Sequence, residues 1–221
     1  GLVVVHGGGP EITALSSRLG LVTVWEGGRR VTTPEALGVA AMVLSGSINK
    51  RVVSALQGAG LDALGLSGED AGLVRAKVAE EGRLGRVGDV VSVRGSLLRE
   101  LLRLGLVPVL SPICRGPDGE PLNVNADDVA VAVARALGAS ELVFVTDVPV
   151  SDATGPRRSL SVREAEELRA TGVARDGMAV KLEAAVSALG AGIGRVRIGP
   201  LGALRDPGAG TVVSIDVEEA A

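Results

Sequence analysis

A β-branched run, Val3-Val4-Val5, is followed after His6 by Gly7, Gly8, Gly9 and then Pro10. That order constrains the fold more than any other stretch. A short apolar run bounded by glycine suits a strand covered on both faces. Pro10 suits the first turn of a helix, where its missing N–H costs nothing and its φ is already helical. The glycines between them leave backbone N–H groups unshielded at the positive end of that helix, a seat for an anion. Glycine also serves plain tight turns, so the loop alone leaves both readings open. Neither G-x-G-x-x-G with strand and helix flanks nor G-x-x-x-x-G-K-[ST] occurs. An esterase-type HGGG loop requires a G-x-S-x-G nucleophile and a separate histidine base. The GLSGE context of Ser67 lacks the last glycine and His6 is the only histidine, so serine hydrolase chemistry is set aside.

The chain of 221 residues is long enough to bury a sizeable core, and 46% of it is hydrophobic. Aromatic residues make up 1%, and 23 basic residues stand against 26 acidic ones. Base stacking and a general basic footprint are both missing, so nucleic acid is not an expected partner. Cys114 is the single cysteine, which excludes an internal disulfide and suits a reducing compartment; we expect it to be a buried thiol. No apolar run is read as approaching a membrane span, no signal peptide is seen, and the expectation is a cytoplasmic protein without a membrane partner. The chain enters a strand by Leu2 with no preceding turn, from which an earlier segment is expected.

Along the chain, a short helix is expected over 10–19. A second helix starts at a Thr32/Glu35 capping box with Pro34 in its first turn, and runs to about Leu56 with a kink at Gly46. DALGLSG at 62–68 reads as a strand, VRAKV with RVGDVVSVRG as a hairpin region, SLLRELLRLG as a helix and VPVLS as a buried strand. Asp118-Gly119 marks a hairpin turn. NADDVAVAVARALG is a helix and ELVFVTD a strand; further on, a Ser161/Glu164 capping box and Asp176 or Gly177 open two more helices. Strands alternating with helices imply a mainly parallel sheet covered on both faces, with ligands collecting beyond the carboxyl ends of its strands. That rule sends the search for chemistry to HGGGP, GLSGED, NVNADD, TDVPV and RDGMAVK.

Taken singly, NVNADD reads as a helix cap and DGMAVK as a cap followed by a solvated lysine. As an ordered set, HGGGP, GRRVT, NVNAD and DGMxVK resemble the amino acid kinase family, over Val3 to about Gly190. The likeness is to the branch that phosphorylates the side-chain carboxylate of N-acetyl-L-glutamate with ATP. The resemblance implies an α/β fold, a three-layer αβα sandwich around a mainly parallel sheet. Residues 1–140 would form an N-terminal lobe for amino-acid binding and dimerisation, and 141–221 a C-terminal ATP lobe, on one continuous sheet within a single structural domain.

It also implies roles. Gly8 and Gly9 would donate backbone N–H bonds to the transferred phosphoryl group and the acyl oxygen. Arg30 would grip the substrate α-carboxylate, a planar bidentate task. Asn123 would bond the N-acetylated substrate, and Asn125 would shape the same loop. Lys181 would neutralise phosphate charge on the catalytic and nucleotide side, held in position by Asp127. Thr146, Asp147 and Val148 would hold the nucleotide. Mg2+ would arrive on ATP, with no protein metal ligand named. A homodimer or higher homo-oligomer is implied as well. Relatives open with a K-x-G-G strand, which is expected upstream of Gly1. A carboxylate kinase for carrier-linked aminoadipate or glutamate, and a catalytically impaired nucleotide- or amino-acid-binding module, are the alternatives.

Overall fold

The computed structural model describes residues 1–26 and 29–215. They divide into two compact units, Gly1–Val133 and Ala134–Ala221.

In the first unit, β1 (Val4–Val5) leads through the glycine loop into α1 (Gly9–Arg18), followed by the two-stranded ribbon β2 (Trp25–Glu26) and β3 (Arg29–Arg30). A continuous helical stretch then runs from Pro34 to Gly58. It comprises α2 (Pro34–Ala41), a π-helical turn Met42–Ile48 and α3 (Asn49–Gly58). The expected kink at Gly46 therefore takes the form of a π insertion, at a Ser-Gly-Ser sequence where helices bend readily. After it come β4 (Ala63–Ser67), β5 (Val74–Val78), β6 (Val87–Val93), α4 (Gly95–Arg103), β7 (Val107–Ser111), β8 (Ile113–Arg115), β9 (Pro121–Val124) and α5 (Ala126–Leu137). The unit division falls inside α5.

β1, β7 and β4 form a wholly parallel sheet in the order β1-β7-β4, with Val4 opposite Val109. Every residue of β7 is buried, as a VPVLS run covered on both faces requires. Beside it, β5, β6, β9 and β8 close into a small barrel, an element the sequence reading did not foresee; its β5/β6 and β8/β9 pairs are the two expected hairpins.

Two sequence expectations need correction here. The Pro34–Gly58 stretch, with mean hydropathy 1.2 in its most apolar window, is long and apolar enough to meet a membrane-span criterion. Its apolar residues have another use: Leu37, Val39, Ala40, Val43, Leu44 and Ile48 pack with Ile12 and Ile113 in one buried cluster. The cap of α2 is Thr33, whose hydroxyl accepts from the Ala36 N–H at 3.2 Å, rather than Thr32. Pro34 takes the first helical position, so the capping residue must be the one directly before it. Thr32 is fully buried instead, donating to the Arg30 carbonyl and accepting from Asn123 Nδ2.

The second unit contains β10 (Leu142–Val145), β11 (Ser151–Asp152), β12 (Gly155–Pro156), β13 (Ser159–Ser161), α6 (Val162–Ala170), α7 (Asp176–Gly190), β14 (Val196–Gly199) and β15 (Thr211–Ser214). Its sheet runs β10-β14-β15-β13, with β14/β15 antiparallel and the other pairs parallel. α7 buries Leu182, Ala185, Ala188 and Leu189, a one-sided helical stripe. The Ser161/Glu164 capping box is present in both directions. The residue capping α7 is Arg175, upstream of both candidates, and it contributes no side-chain cap bond.

Candidate active site

The carboxyl end of β1 feeds directly into the glycine loop. The His6 N–H extends the ladder to the Leu110 carbonyl, and α1 begins at Gly9 with Pro10 in its first turn. Among the described residues, no protein acceptor meets the backbone N–H of Gly8 or Gly9. These are orphan donors of a helix start, aimed at whatever occupies the neighbouring space.

That space is a cleft of about 270 Å3 lined by Gly7, Gly8 and Gly9 on one side, Trp25 and Arg30 on another, and Asn123 and Asn125 on a third. The two central glycines serve it differently. A Cβ on Gly8 would stand 2.2 Å from Ile48 Cδ1 and 2.9 Å from Leu44 Cδ2, both in the buried cluster. A Cβ on Gly9 would meet nothing within 4 Å. A side chain at Gly8 would have to displace the ends of Ile48 and Leu44 on the π turn, whereas Gly9 borders open space.

Arg30 reaches the cleft from the β2/β3 ribbon. Its guanidinium donates to Thr13 Oγ1 at 2.6 Å, to the Gly9 carbonyl at 3.2 Å and to Thr23 Oγ1 at 3.1 Å, and lies 4.6 Å above the Trp25 ring. Its Nε–H and second Nη1–H have no partner among the described residues and can each donate one bond to a carboxylate, but both Nη2 hydrogens are engaged, so the expected bidentate grip requires Arg30 to release Thr13 or the Gly9 carbonyl. Trp25, the only tryptophan, was not foreseen as a site residue. Its signal was proximity: it lies five positions before Arg30, a spacing that a two-stranded ribbon converts into a cross-strand pair.

Asn123 on β9 donates to Thr32 Oγ1 at 3.3 Å, which fixes its amide in the cleft wall. Asn125 caps α5: its Oδ1 accepts from the Asp127 N–H at 2.8 Å. Asp127 is thereby set in the first turn of α5, where a carboxylate is favoured by the helix dipole, one residue beyond the cleft-lining Ala126. Gly8, Gly9, Arg30, Asn123 and Asn125 thus share one cleft of the first unit.

Thr146, Asp147, Val148 and Lys181 belong to the second unit. Thr146 leaves the carboxyl end of β10 with its N–H bonded to the Gly199 carbonyl, and its hydroxyl accepts from the Val148 N–H at 3.3 Å. Val148 is exposed, whereas Val150 is buried. Lys181, on α7, places its ammonium 5.8 Å from the ring of Phe144 on β10. Cys114 is a free buried thiol, pushed up to about 12 by burial and by the nearby Glu69, which makes it an inert packing group. Among the described residues, no group of three or more His, Cys, Asp and Glu side chains converges on a point that could hold a metal.

Comparison with known proteins gives the chain its relatives. A curated protein from Roseiflexus sp. (strain RS-1), named acetylglutamate kinase, is 50% identical over 209 residues, covering 93% of this chain and 80% of the relative. One of the same name from Methanopyrus kandleri is 45% identical over 222 residues, covering 96% and 90%. The crystal structure of smu.665 from Streptococcus mutans UA159 superposes with a TM-score of 0.90 at 30% identity, covering 97% of this chain and 86% of that one. The amino acid kinase family model matches residues 1–199, and the chain belongs to the amino acid kinase family.

Proposed function

We propose that this chain is an acetylglutamate kinase, transferring the γ-phosphoryl group of ATP to the side-chain carboxylate of N-acetyl-L-glutamate in arginine biosynthesis. The observation that carries the reading is the pairing, in one cleft, of the unsatisfied Gly8 and Gly9 N–H groups with a guanidinium that retains donors. A small diacid derivative offers a carboxylate to each. The names of the relatives support the same choice.

The chemistry asks little of a base. A carboxylate nucleophile is deprotonated near neutral pH, so positioning and charge stabilisation carry the rate. Arg30 and Asn123 orient the substrate, and the Gly8 and Gly9 N–H groups meet negative charge as it gathers on the reacting oxygens. Lys181 offsets charge on the nucleotide phosphates, Asp127 is the carboxylate that the reaction also needs, and Thr146 to Val148 receive the nucleoside. Mg2+ would shield the phosphates it travels with. We also propose a homodimer or larger homo-oligomer, to be read as a particle mass in solution.

The decisive assay is ADP release by the purified chain with Mg-ATP and N-acetyl-L-glutamate, beside glutamate and 2-aminoadipate. Turnover restricted to N-acetyl-L-glutamate is expected. Turnover on a carrier-linked substrate alone, or ATP binding with no turnover on any acceptor, would overturn the reading. Trp25 provides a second readout, since N-acetyl-L-glutamate entering its cleft should change the emission of the only tryptophan.

A further inference from the structure

His6 is buried directly behind the glycine loop, and the kinase reading leaves it without a role. Its surroundings specify its protons. Asn49, fully buried at the start of α3, donates through Nδ2 to the Val109 carbonyl at 2.9 Å. A carbonyl can only accept, so the amide nitrogen must face that way. Lys50 Nζ, which can only donate, bonds Asn49 Oδ1 at 3.2 Å and fixes the same orientation from the other side. Asn49 Nδ2 shares its second hydrogen between His6 Nε2 at 3.2 Å and the Leu66 carbonyl at 3.4 Å; an amide nitrogen cannot accept, so Nε2 faces it without a proton of its own. A neutral imidazole accepting at Nε2 carries its proton on Nδ1, and His6 Nδ1 lies 3.2 Å from the Gly7 carbonyl.

The last link bears on the reaction. The Gly7–Gly8 peptide is planar and trans, so its N–H points opposite to its C=O. Tying the Gly7 oxygen to His6 turns the Gly8 N–H away from the ring, at a residue that lines the cleft. We infer that His6, held by Asn49 as the Nδ1–H tautomer, is a positioning residue that orients the Gly7–Gly8 peptide so that the Gly8 N–H faces the reacting oxygens.

Two further features fit a built device. Gly65 leaves the room that the amide occupies, because a Cβ there would stand 2.0 Å from Asn49 Oδ1. Burial, and then the charge of Arg51, hold His6 below its ordinary 6.5 despite the opposing bond to Gly7, so the ring stays neutral at physiological pH. The π turn Met42–Ile48 lies immediately before Asn49 in the same helical stretch that stacks Leu44 and Ile48 against Gly8.

The inference rests on the kinase reading for its kinetic arm and stands apart from it in its spectroscopic arm. With a single histidine, 15N-histidine labelling of the full chain gives one imidazole, and long-range 15N–1H correlation spectra should show a protonated Nδ1 and a bare Nε2 at neutral pH. A neutral ring protonated at Nε2, or a rapidly exchanging mixture, would overturn the assignment whether or not the chain turns over. For the kinetics, His6→Asn places an amide nitrogen where Nδ1 stands and His6→Gln places one where Nε2 stands. The first should keep kcat within about threefold, and the second should lose about tenfold or more with little change in KM for N-acetyl-L-glutamate. Equal losses in the two variants, or a loss confined to KM, would overturn the positioning role. Absence of wild-type turnover on N-acetyl-L-glutamate beside an Nδ1–H ring would fault the kinase reading while leaving the tautomer in place.

Discussion

The two units hold their expected ligand groups in contrasting ways. In the first, almost every polar group at the cleft is tied down: Arg30 by three bonds, Asn123 by Thr32, Asn125 by its capping bond, and the glycine loop by His6. In the second, the firm bonds lie outside the 146–148 segment. Arg157 bridges Asp152 and Glu164 at 2.6 Å each, and the buried Arg197 bonds Glu141 and the carbonyls of Ala203 and Asp206. The segment itself has one internal bond and an exposed Val148. The difference fits the division of labour proposed above. Reacting atoms need donors fixed to within a fraction of an ångström, whereas a nucleotide with many contacts can be received by backbone on a stiff support.

That contrast is tested most severely by charge. Lys181→Ala and Asp127→Ala should each lower turnover by about 10²- to 10³-fold or more, the scale of losing one preorganised contact to transition-state charge. Both variants should melt close to the wild type. ADP release and thermal melts on the same samples check this, and near-normal rates in both would break the assignment of phosphate handling to these residues.

Next in size is the support of the second unit. Arg197→Met removes a guanidinium that is 3% exposed and leaves the Ala203 carbonyl without its donor, while the Asp206 carbonyl keeps the Ala209 N–H and Glu141 keeps Arg195. Leaving a buried acceptor without its donor costs about 1 to 3 kcal/mol. The loss should appear in urea unfolding, while the affinity of the first unit's cleft for N-acetyl-L-glutamate, read from Trp25, stays close to wild type. A matching fall in that affinity would show that the two regions do not divide the work as described.

Within the first unit, the two glycines offer a finer test. Gly8→Ala drives a methyl into Ile48 and Leu44 and should cost about 1 to 3 kcal/mol of stability. Gly9→Ala meets no protein atom, so its melting temperature should hold while its affinity for N-acetyl-L-glutamate falls. Equal stability losses in both would mean that the loop needs glycine only for its backbone.

Those residues also show how far the sequence could be read. The strand, loop and helix order around Gly7–Gly9 was legible because β-branched, glycine and proline residues each have one strong local preference. Gly8, Gly9, Arg30, Asn123 and Asn125 stand out in the sequence through their motifs, and the fold lines one cleft with them. The capping residue was misplaced by one position because a Thr-Thr pair offers two hydroxyls and only Pro34 decides between them. The barrel and the His6–Asn49 link depend on pairings between residues far apart in the chain, which local preference does not encode. A signal for Asn49 was present: Ser45 and Asn49, one helical turn apart, interrupt an apolar stripe, and each proves to be bonded to β7, at Ser111 and Val109.

The smallest expected effect separates the units by pH. His6 is held below 6.5 by burial and then by the charge of Arg51, itself paired with Glu11, while the Lys50 ammonium bonds the Oδ1 of Asn49. In the unfolded chain the ring takes up its proton at the ordinary value. Below about 6.5 the unfolded state therefore binds more protons than the folded one, and the contribution present above that pH fades as pH falls. Glu141 behaves as the acidic counterpart: the Arg197 bond holds its carboxyl below 4.5, so its contribution persists until pH drops under that value. The first unit should weaken first on acidification. Urea midpoints read from Trp25, which reports on that unit, should fall between about pH 7.5 and 5.5 in the wild type and change less in His6→Asn. A wild-type midpoint that stays level over that range, or an equal fall in the variant, would show that His6 is not the group that first feels acid.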